Sequence, residues 1–515
     1  MSKNETMPSS SSSSETPPKP YSLLFHPYLT WTEKLISFSI GYLLDLGRLS
    51  QPEIGSTDSK QMLSEKRKQM RDMEAGSRGK SALNEWSKVM SSSSSTSSSS
   101  NNDKDSCCLL AESSGFIPFR KNILQEWNIV DRQDVLPKNA VSAANDREGV
   151  KILVRFPSSL LPTELQQDGN ILEYSGCLEV EFDKIDLRTF APDVPMLIFF
   201  HGGGLTLGGC HDSILIDEAT RLVQNAATTK QRSNDDDDDN NDNNNGRSSS
   251  SPPGIITVSV EYGLAPEDPF PIAIMDGLSV IEYLLSEAES NNNIRKAVHI
   301  TGNSAGANIS LVTGLESFRR YPGKILSIQA QSPFLNPAGD TMSYYMNKNV
   351  FPDTQWLRWC WEAYLGLENQ NQKQTTSDNN DNNNDNETNN HALEKILRKD
   401  SNYSSWNKWK ADHPSKALHR LVNPVLDMPE GLDDEAIAPK IILRYNIGDP
   451  LQDDGEDIVN ALKHKKAANA SYFKQTGLHC HIGTIYNADA LNEFWKIWSE
   501  AIFGVVGGDG DGASK

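Results

Sequence analysis

Ala297-Val298-His299-Ile300-Thr301-Gly302-Asn303-Ser304-Ala305-Gly306 is the stretch on which the reading of this chain turns. Its first half is an aliphatic, β-branched run with the composition of a short strand, and residues 307–318 follow with a helical pattern. Between the two, Ser304 stands with a glycine two positions away on either side. A strand that turns this abruptly into a helix forces its central residue into a strained backbone conformation. Side chains at the flanking positions would strike the neighbouring strand or helix. The spacing therefore predicts a nucleophile elbow with Ser304 at its tip and Gly302 and Gly306 at its crowded positions. A Gly-x-Ser-x-Gly pentapeptide alone is a weak signal, but the strand-turn-helix context makes a passive glycine turn the minority reading.

Working outward, His201-Gly202-Gly203-Gly204 follows another strand-like run at 196–200. Consecutive glycines let backbone N–H groups converge on one point with no side chain in the way, which is how an oxyanion is held. Gly203 and Gly204 are the expected donors, joined by the N–H of Ala305. A phosphate loop would carry a lysine behind its glycines, whereas this one continues Leu205-Thr206-Leu207. Further strand-like runs lie at 150–156, 178–185, 255–262, 325–330 and 441–446, with a helical stretch at 271–289. Strands alternating with helices predict a mostly parallel central sheet covered by helices on both faces, with a helical cap. The two earliest runs alternate more strongly and predict an antiparallel edge.

The His-Gly-Gly-Gly and Gly-x-Ser-Ala-Gly motifs together resemble the hormone-sensitive-lipase-like family of α/β hydrolases. Residues 260–271, Val-Glu-Tyr-Gly-Leu-Ala-Pro-Glu-Asp-Pro-Phe-Pro, are similar to the segment that in that family leads from a strand into the next helix. The resemblance runs roughly from 196 to 498 apart from inserts. It implies an α/β-hydrolase fold, serine esterase or lipase chemistry, and triad members in the order Ser, Asp, His. Relatives usually carry an acidic residue where this chain has Asn303, an exchange that removes a charge and leaves the elbow geometry intact.

Asp449, in Gly448-Asp449-Pro450-Leu451, is similar to the family's Asp-Pro-Leu segment and is the expected acid. Asp453 and Asp454 compete with it, but their offset from the preceding strand suits a helix N-terminus. The family's His-Gly-Phe ending is absent; the chain offers Gly477-Leu478-His479-Cys480-His481 instead. His479 is the preferred base because it follows the strand-like run 471–476 most closely, and His481 is the alternative. A His-Cys-His metal site is disfavoured, since neighbouring residues point in alternating directions and only three ligands would be local. The aromatic series Tyr344, Tyr345, Trp356, Trp359, Trp361, Tyr364, Trp406 and Trp409 suits a core and an apolar substrate pocket about equally.

Composition narrows the rest. The 515 residues carry 69 acidic against 49 basic side chains, a net charge of -20 that repels phosphate backbones and argues against nucleic-acid binding. Residues 91–105, 229–253 and 369–390 are Ser-, Asn- and Asp-rich runs with too little apolar surface to offset the entropy of ordering. The expected organisation is a disordered N-terminus at 1–20, an extension or cap at 21–148, a catalytic domain at 149–505 and a flexible tail at 506–515. Cys107, Cys108, Cys177, Cys210, Cys360 and Cys480 show neither metal nor disulfide-framework spacing and read as free thiols of a reducing compartment. No signal-peptide pattern opens the chain, so an intracellular location is expected. Residues 21–46 form an apolar helical face, interrupted by Glu33, Lys34 and Asp45, that suits packing over the active-site mouth or peripheral membrane contact better than spanning a bilayer. The combined expectation is hydrolysis of an apolar carboxylic ester through an acyl-enzyme on Ser304, with no metal and no organic cofactor. An amidase or deacetylase with the same triad, or a hydrolase-like receptor of small hydrophobic molecules, are the alternatives; the oligomeric state is unspecified.

Overall fold

The computed structural model describes residues 19–35, 37, 54, 56–73, 79–92, 110–132, 136–167, 170–172, 175–211, 213–236, 254–286, 294–367, 389–399, 401–481 and 488–504. Among them, nine strands form one sheet: β1 Leu110–Pro118, β2 Gly149–Pro157, β3 Leu178–Glu179, β4 Met196–Phe200, β5 Ile256–Glu261, β6 Val298–Asn303, β7 Ile325–Gln331, β8 Lys440–Ile447 and β9 Ala470–Thr476. Their order is β3-β1-β2-β5-β4-β6-β7-β8-β9. From β5 to β9 every pairing is parallel, so the C-terminal ends of these strands share one edge of the sheet. The principal helices are α1 Thr57–Met73, α2 Gly79–Ser92, α3 Ser213–Asp236, α4 Ile272–Leu285, α5 Ala305–Arg320, α6 Thr354–Leu365, α7 Gln452–His464 and α8 Ala488–Phe503.

Why the central strands carry no polar face is seen at β4. Met196, Ile198 and Phe200 join the larger core with α4 and α5, while Leu197 and Phe199 join a second core with α2, α3 and α8. Side chains alternate across a strand, and a parallel sheet with helices on both sides buries both alternations. The resulting fold is that of an α/β hydrolase.

Several expectations change. The antiparallel edge exists, but β2 pairs there with β1 and not with the run at 178–185. Only Leu178–Glu179 of that run is a strand, parallel to β1, and Phe182–Lys184 turns as a 3₁₀ helix. β1 escapes a hydrophobicity reading because Glu112 and Ser113 lie inside the fold, where Glu112 pairs with the equally buried Arg155 at 2.6 Å. Residues 110–118, read as part of the extension, thus belong to the sheet. The polar runs also enter helices: α3 continues through Thr229 to Asp236, α2 ends at Ser92, and a helix spans Asn389–Lys399. The remainder of those runs, and residues 36 and 38–46 of the apolar N-terminal face, lie outside the described residues.

Candidate active site

Ser304 caps the N-terminus of α5 with φ 56° and ψ -118°, a conformation that costs an L-residue about 1–3 kcal/mol. The flanking glycines are dictated by close approach. A Cβ on Gly302 would meet the Gly306 carbonyl and stand 2.5 Å from Ser310 Oγ, and one on Gly306 would run into the Phe200 carbonyl at the end of β4. The elbow is held by β7: the Ser304 N–H donates to the Gln331 carbonyl at 2.8 Å, and the Phe334 N–H donates to the Ser304 carbonyl at 3.2 Å.

The glycine loop leaves β4 beside this elbow. Gly203 and Gly204 take φ values of 119° and 63°. The Gly203 carbonyl is tied down by the N–H groups of Thr206 at 3.2 Å and Leu207 at 2.9 Å. Among the described residues the N–H groups of Gly203, Gly204 and Ala305 donate to no backbone carbonyl, so they are available to a developing oxyanion. His201 shapes this loop: its ring stacks on Tyr262 at 4.2 Å, its Nδ1 lies 2.8 Å from the Gly202 carbonyl, and the Tyr262 hydroxyl donates to the His201 carbonyl at 2.7 Å. Complete burial lowers the His201 pKa despite the nearby Glu261 carboxylate, which keeps the imidazole neutral. From the N-terminal side, Arg67 of α1 donates to the Thr206 carbonyl at 2.8 Å and the Ala265 carbonyl at 2.9 Å.

Asp449 and His479 meet at the ends of β8 and β9, with Asp449 Oδ2 2.8 Å from His479 Nδ1. The second carboxylate oxygen accepts the Leu451 N–H at 2.9 Å. Both side chains are buried. Burial alone would depress the imidazole pKa, but the Asp449 charge, the Cys480 thiol and the hydrogen bond outweigh it and hold His479 well above the usual histidine value. Ser332, just past β7, links the two halves of the site: the Cys480 N–H donates to Ser332 Oγ at 3.2 Å, one residue from Gln331, which holds Ser304. Asp453 and Asp454 do sit at the start of α7. Asp453 accepts the Ser343 N–H at 2.8 Å, and Asp454 accepts those of Leu335 and Asn336 at 2.7 and 3.0 Å. Both therefore serve loop structure. The side chain of His481 lies outside the described residues.

The aromatic series divides. Trp361, Tyr344 and Tyr364 are fully enclosed core, and Trp406 stacks on Trp409 at 5.2 Å. Trp356 instead reaches the glycine loop, where a Cβ on Gly204 would lie 2.8 Å from its ring and 2.6 Å from Cys360 Sγ. Asn303 packs its amide beside Gly202, on the rear of the same loop. Sequence reading had no signal for Ser332 or for Asn347, whose Nδ2 donates to the Asp449 carbonyl at 3.1 Å. Neither belongs to a motif. Cys177, Cys210, Cys360 and Cys480 are thiols that form no disulfide among the described residues; Cys107 and Cys108 lie outside them. Among the described residues no helix is long and apolar enough to cross a membrane.

Residues 241–384, which include the elbow, match the family model described as alpha/beta hydrolase fold. A carboxylesterase of Mycobacterium tuberculosis, NlhH, is 27% identical over 164 residues, 31% of this chain and 40% of that protein. Probable carboxylesterase 3 of Arabidopsis thaliana is 29% identical over 134 residues, 25% of this chain and 34% of its own length. The gibberellin receptor GID1B of the same plant is 24% identical over 174 residues, 33% of this chain and 41% of that protein. The chain thus spans about two fifths of the length of the curated relatives it matches. A solved esterase of Pyrobaculum calidifontis aligns over 90% of this chain and 97% of its own with 15% identity and a TM-score of 0.45. The sheet, the elbow and the segment that matches the alpha/beta hydrolase model agree on an α/β-hydrolase fold for this chain.

Proposed function

We propose that this protein hydrolyses a carboxylic ester of an apolar substrate through an acyl-enzyme on Ser304. The observation that carries the reading is the buried Asp449–His479 pair at 2.8 Å, joined to the strained Ser304 elbow through the Cys480 N–H bond to Ser332, the residue after Gln331, whose carbonyl holds Ser304. His479 Nε2 takes the Ser304 proton as Oγ attacks the ester carbonyl, and the N–H groups of Gly203, Gly204 and Ala305 hold the oxyanion of the tetrahedral intermediate. The imidazolium then returns its proton to the departing alkoxide, leaving an acyl-serine. Water, deprotonated by the same imidazole, releases the acid and restores the serine. Asp449 fixes the Nδ1–H tautomer and stabilises the imidazolium. The Trp356 ring packs against Gly204, an apolar neighbour of the glycine loop that suits an apolar substrate.

The receptor reading is less well supported, because a polarised acid–base pair serves turnover and adds nothing to holding a ligand. The test is labelling with a fluorophosphonate probe and turnover of acyl esters of graded length beside matching anilides. An adduct on Ser304 with ester turnover supports the reading. Turnover of anilides alone would make the protein an amidase, and well-folded protein that takes no label would end the hydrolase assignment.

A further inference from the structure

We propose that His26 is a positioning residue for the catalytic pair, acting through Asn347 on the main chain of Asp449. The inference rests on the hydrolase reading above. Residues 19–35 and 37 lie against the loops that carry the acid and the base. The Tyr21 N–H donates to the Met346 carbonyl at 2.9 Å, and Ser37 Oγ accepts the Phe351 N–H at 2.9 Å. Leu29 packs with Val350 and with Leu478, the residue before His479. Gly448, the residue before Asp449, faces His26, Tyr28 and Leu29 so closely that a Cβ there would stand 3.1 Å from the His26 ring.

Through this contact runs a directional chain of hydrogen bonds. His26 Nδ1 accepts the Tyr28 N–H at 3.3 Å, so the ring proton resides on Nε2. Nε2–H then donates to Asn347 Oδ1 at 2.9 Å. With its oxygen so engaged, Asn347 turns its NH₂ to the Asp449 carbonyl at 3.1 Å, where the Gln452 N–H also donates at 3.1 Å. Each donor meets an acceptor only in this one arrangement. His26 is 2% exposed, and burial lowers its pKa against the pull of Asn347 and Glu33, which keeps the ring in the single neutral tautomer the chain requires. Asp449 receives its side-chain bonds from Leu451 and His479, but the orientation of the whole peptide that aims its carboxylate is set from behind by this relay. A misplacement well under 1 Å at an acid–base pair is enough to reduce turnover.

The test uses the full chain as His26→Leu, His26→Gln and Asn347→Ala, with Asp449→Asn as a background. Thermal melts verify folding, and the readouts are the labelling rate of a fluorophosphonate and kcat and KM on a short acyl ester. His26→Leu and Asn347→Ala are expected to lower kcat and the labelling rate about five- to tenfold, the worth of one buried hydrogen bond, with KM unchanged. His26→Gln, which keeps a donor at the Nε2 position, restores most of the loss. In the Asp449→Asn background His26→Leu adds no further loss, because both changes act on one element. Asn347→Ala leaves the Leu29 contact in place and decides the matter if His26→Leu does not fold. Wild-type protein that labels at Ser304, with His26→Leu and Asn347→Ala labelling equally fast, overturns this proposal alone, as does full additivity with Asp449→Asn. Folded wild-type protein that never labels overturns the hydrolase reading and this proposal with it.

Discussion

Replacing Asp449 by Asn exchanges one carboxylate oxygen for an NH₂ and leaves the volume unchanged. Its consequence follows from the burial of the pair. The carboxylate oxygen lies 2.8 Å from His479 Nδ1 with both side chains shut off from solvent. Opposite charges about 4 Å apart attract by about 4 kcal/mol at an effective dielectric constant of 20, and the transition state carries that imidazolium charge in full. Losing it lowers kcat by about a thousandfold. Part of the ground state responds in the same direction. Asp449 holds the His479 pKa above the ordinary value of 6.5 against the depression that burial would impose. Attack on the ester requires neutral imidazole, so kcat/KM of the wild type rises with pH along a limb above 6.5. In the variant the support is gone, burial prevails, and the limb moves to lower pH. The rate ratio of wild type to variant is therefore largest above the wild-type limb and narrows as pH falls. The assay is a pH profile of kcat/KM on a soluble acyl ester for both proteins, with melting curves as a control on folding. A folded variant within about tenfold of wild type, or one whose limb moves upward, refutes the assignment of Asp449 as the partner of the base.

His479→Ala should remove several orders of magnitude from kcat while His481→Ala has a mild effect, measured as turnover of the same ester; the reverse pattern would transfer the base to His481. Gly204→Ala places a methyl 2.6 Å from Cys360 Sγ and 2.8 Å from Trp356, so the oxyanion loop must shift, and kcat should fall about a hundredfold with KM little changed. An unchanged kcat would show that the packing of Cys360 and Trp356 against Gly204 does not position the loop's N–H groups. Arg147→Ala leaves Asp276, fully buried, without its partners at 2.9 and 2.7 Å and should cost about 3 kcal/mol in a denaturant titration. Burial raises the Asp276 pKa to about 7 even with Arg147 and the Gly263 N–H beside it, against 3.8 ordinarily, so the folded variant holds its proton where the unfolded chain has released it. The penalty is accordingly level from 3.8 up to about 7, where both folded proteins hold the proton, and grows above about 7, where only the wild type releases it; it should be greater at pH 8 than at pH 5, and an equal loss at both would show that the carboxylate is not the cause.

The sequence by itself determined the parts of this protein that depend on local crowding or strict order. Gly302 and Gly306 are glycines because β4 and α5 leave no room for a Cβ, and that requirement is visible in five consecutive residues. The glycine loop after β4 and the central strands were legible for the same reason, since strands buried on both faces leave an uninterrupted apolar run. Asp449 and His479 could be nominated from family order, but the choice between neighbouring carboxylates or histidines needed distances. Asp449 meets His479, whereas Asp453 and Asp454 meet loop amides. Only the tertiary structure decided the rest. β1 became a strand although it carries Glu112, because Arg155 from the adjoining strand neutralises that carboxylate inside the sheet. Trp356 separated from the enclosed aromatics because its helix crosses the glycine loop, and His26 came to stand behind Asp449, 423 positions further along the chain, through Asn347. Periodicity records which face of an element is buried. It carries no information on which distant residue that face will meet, and charge pairing and relay contacts are set by that meeting.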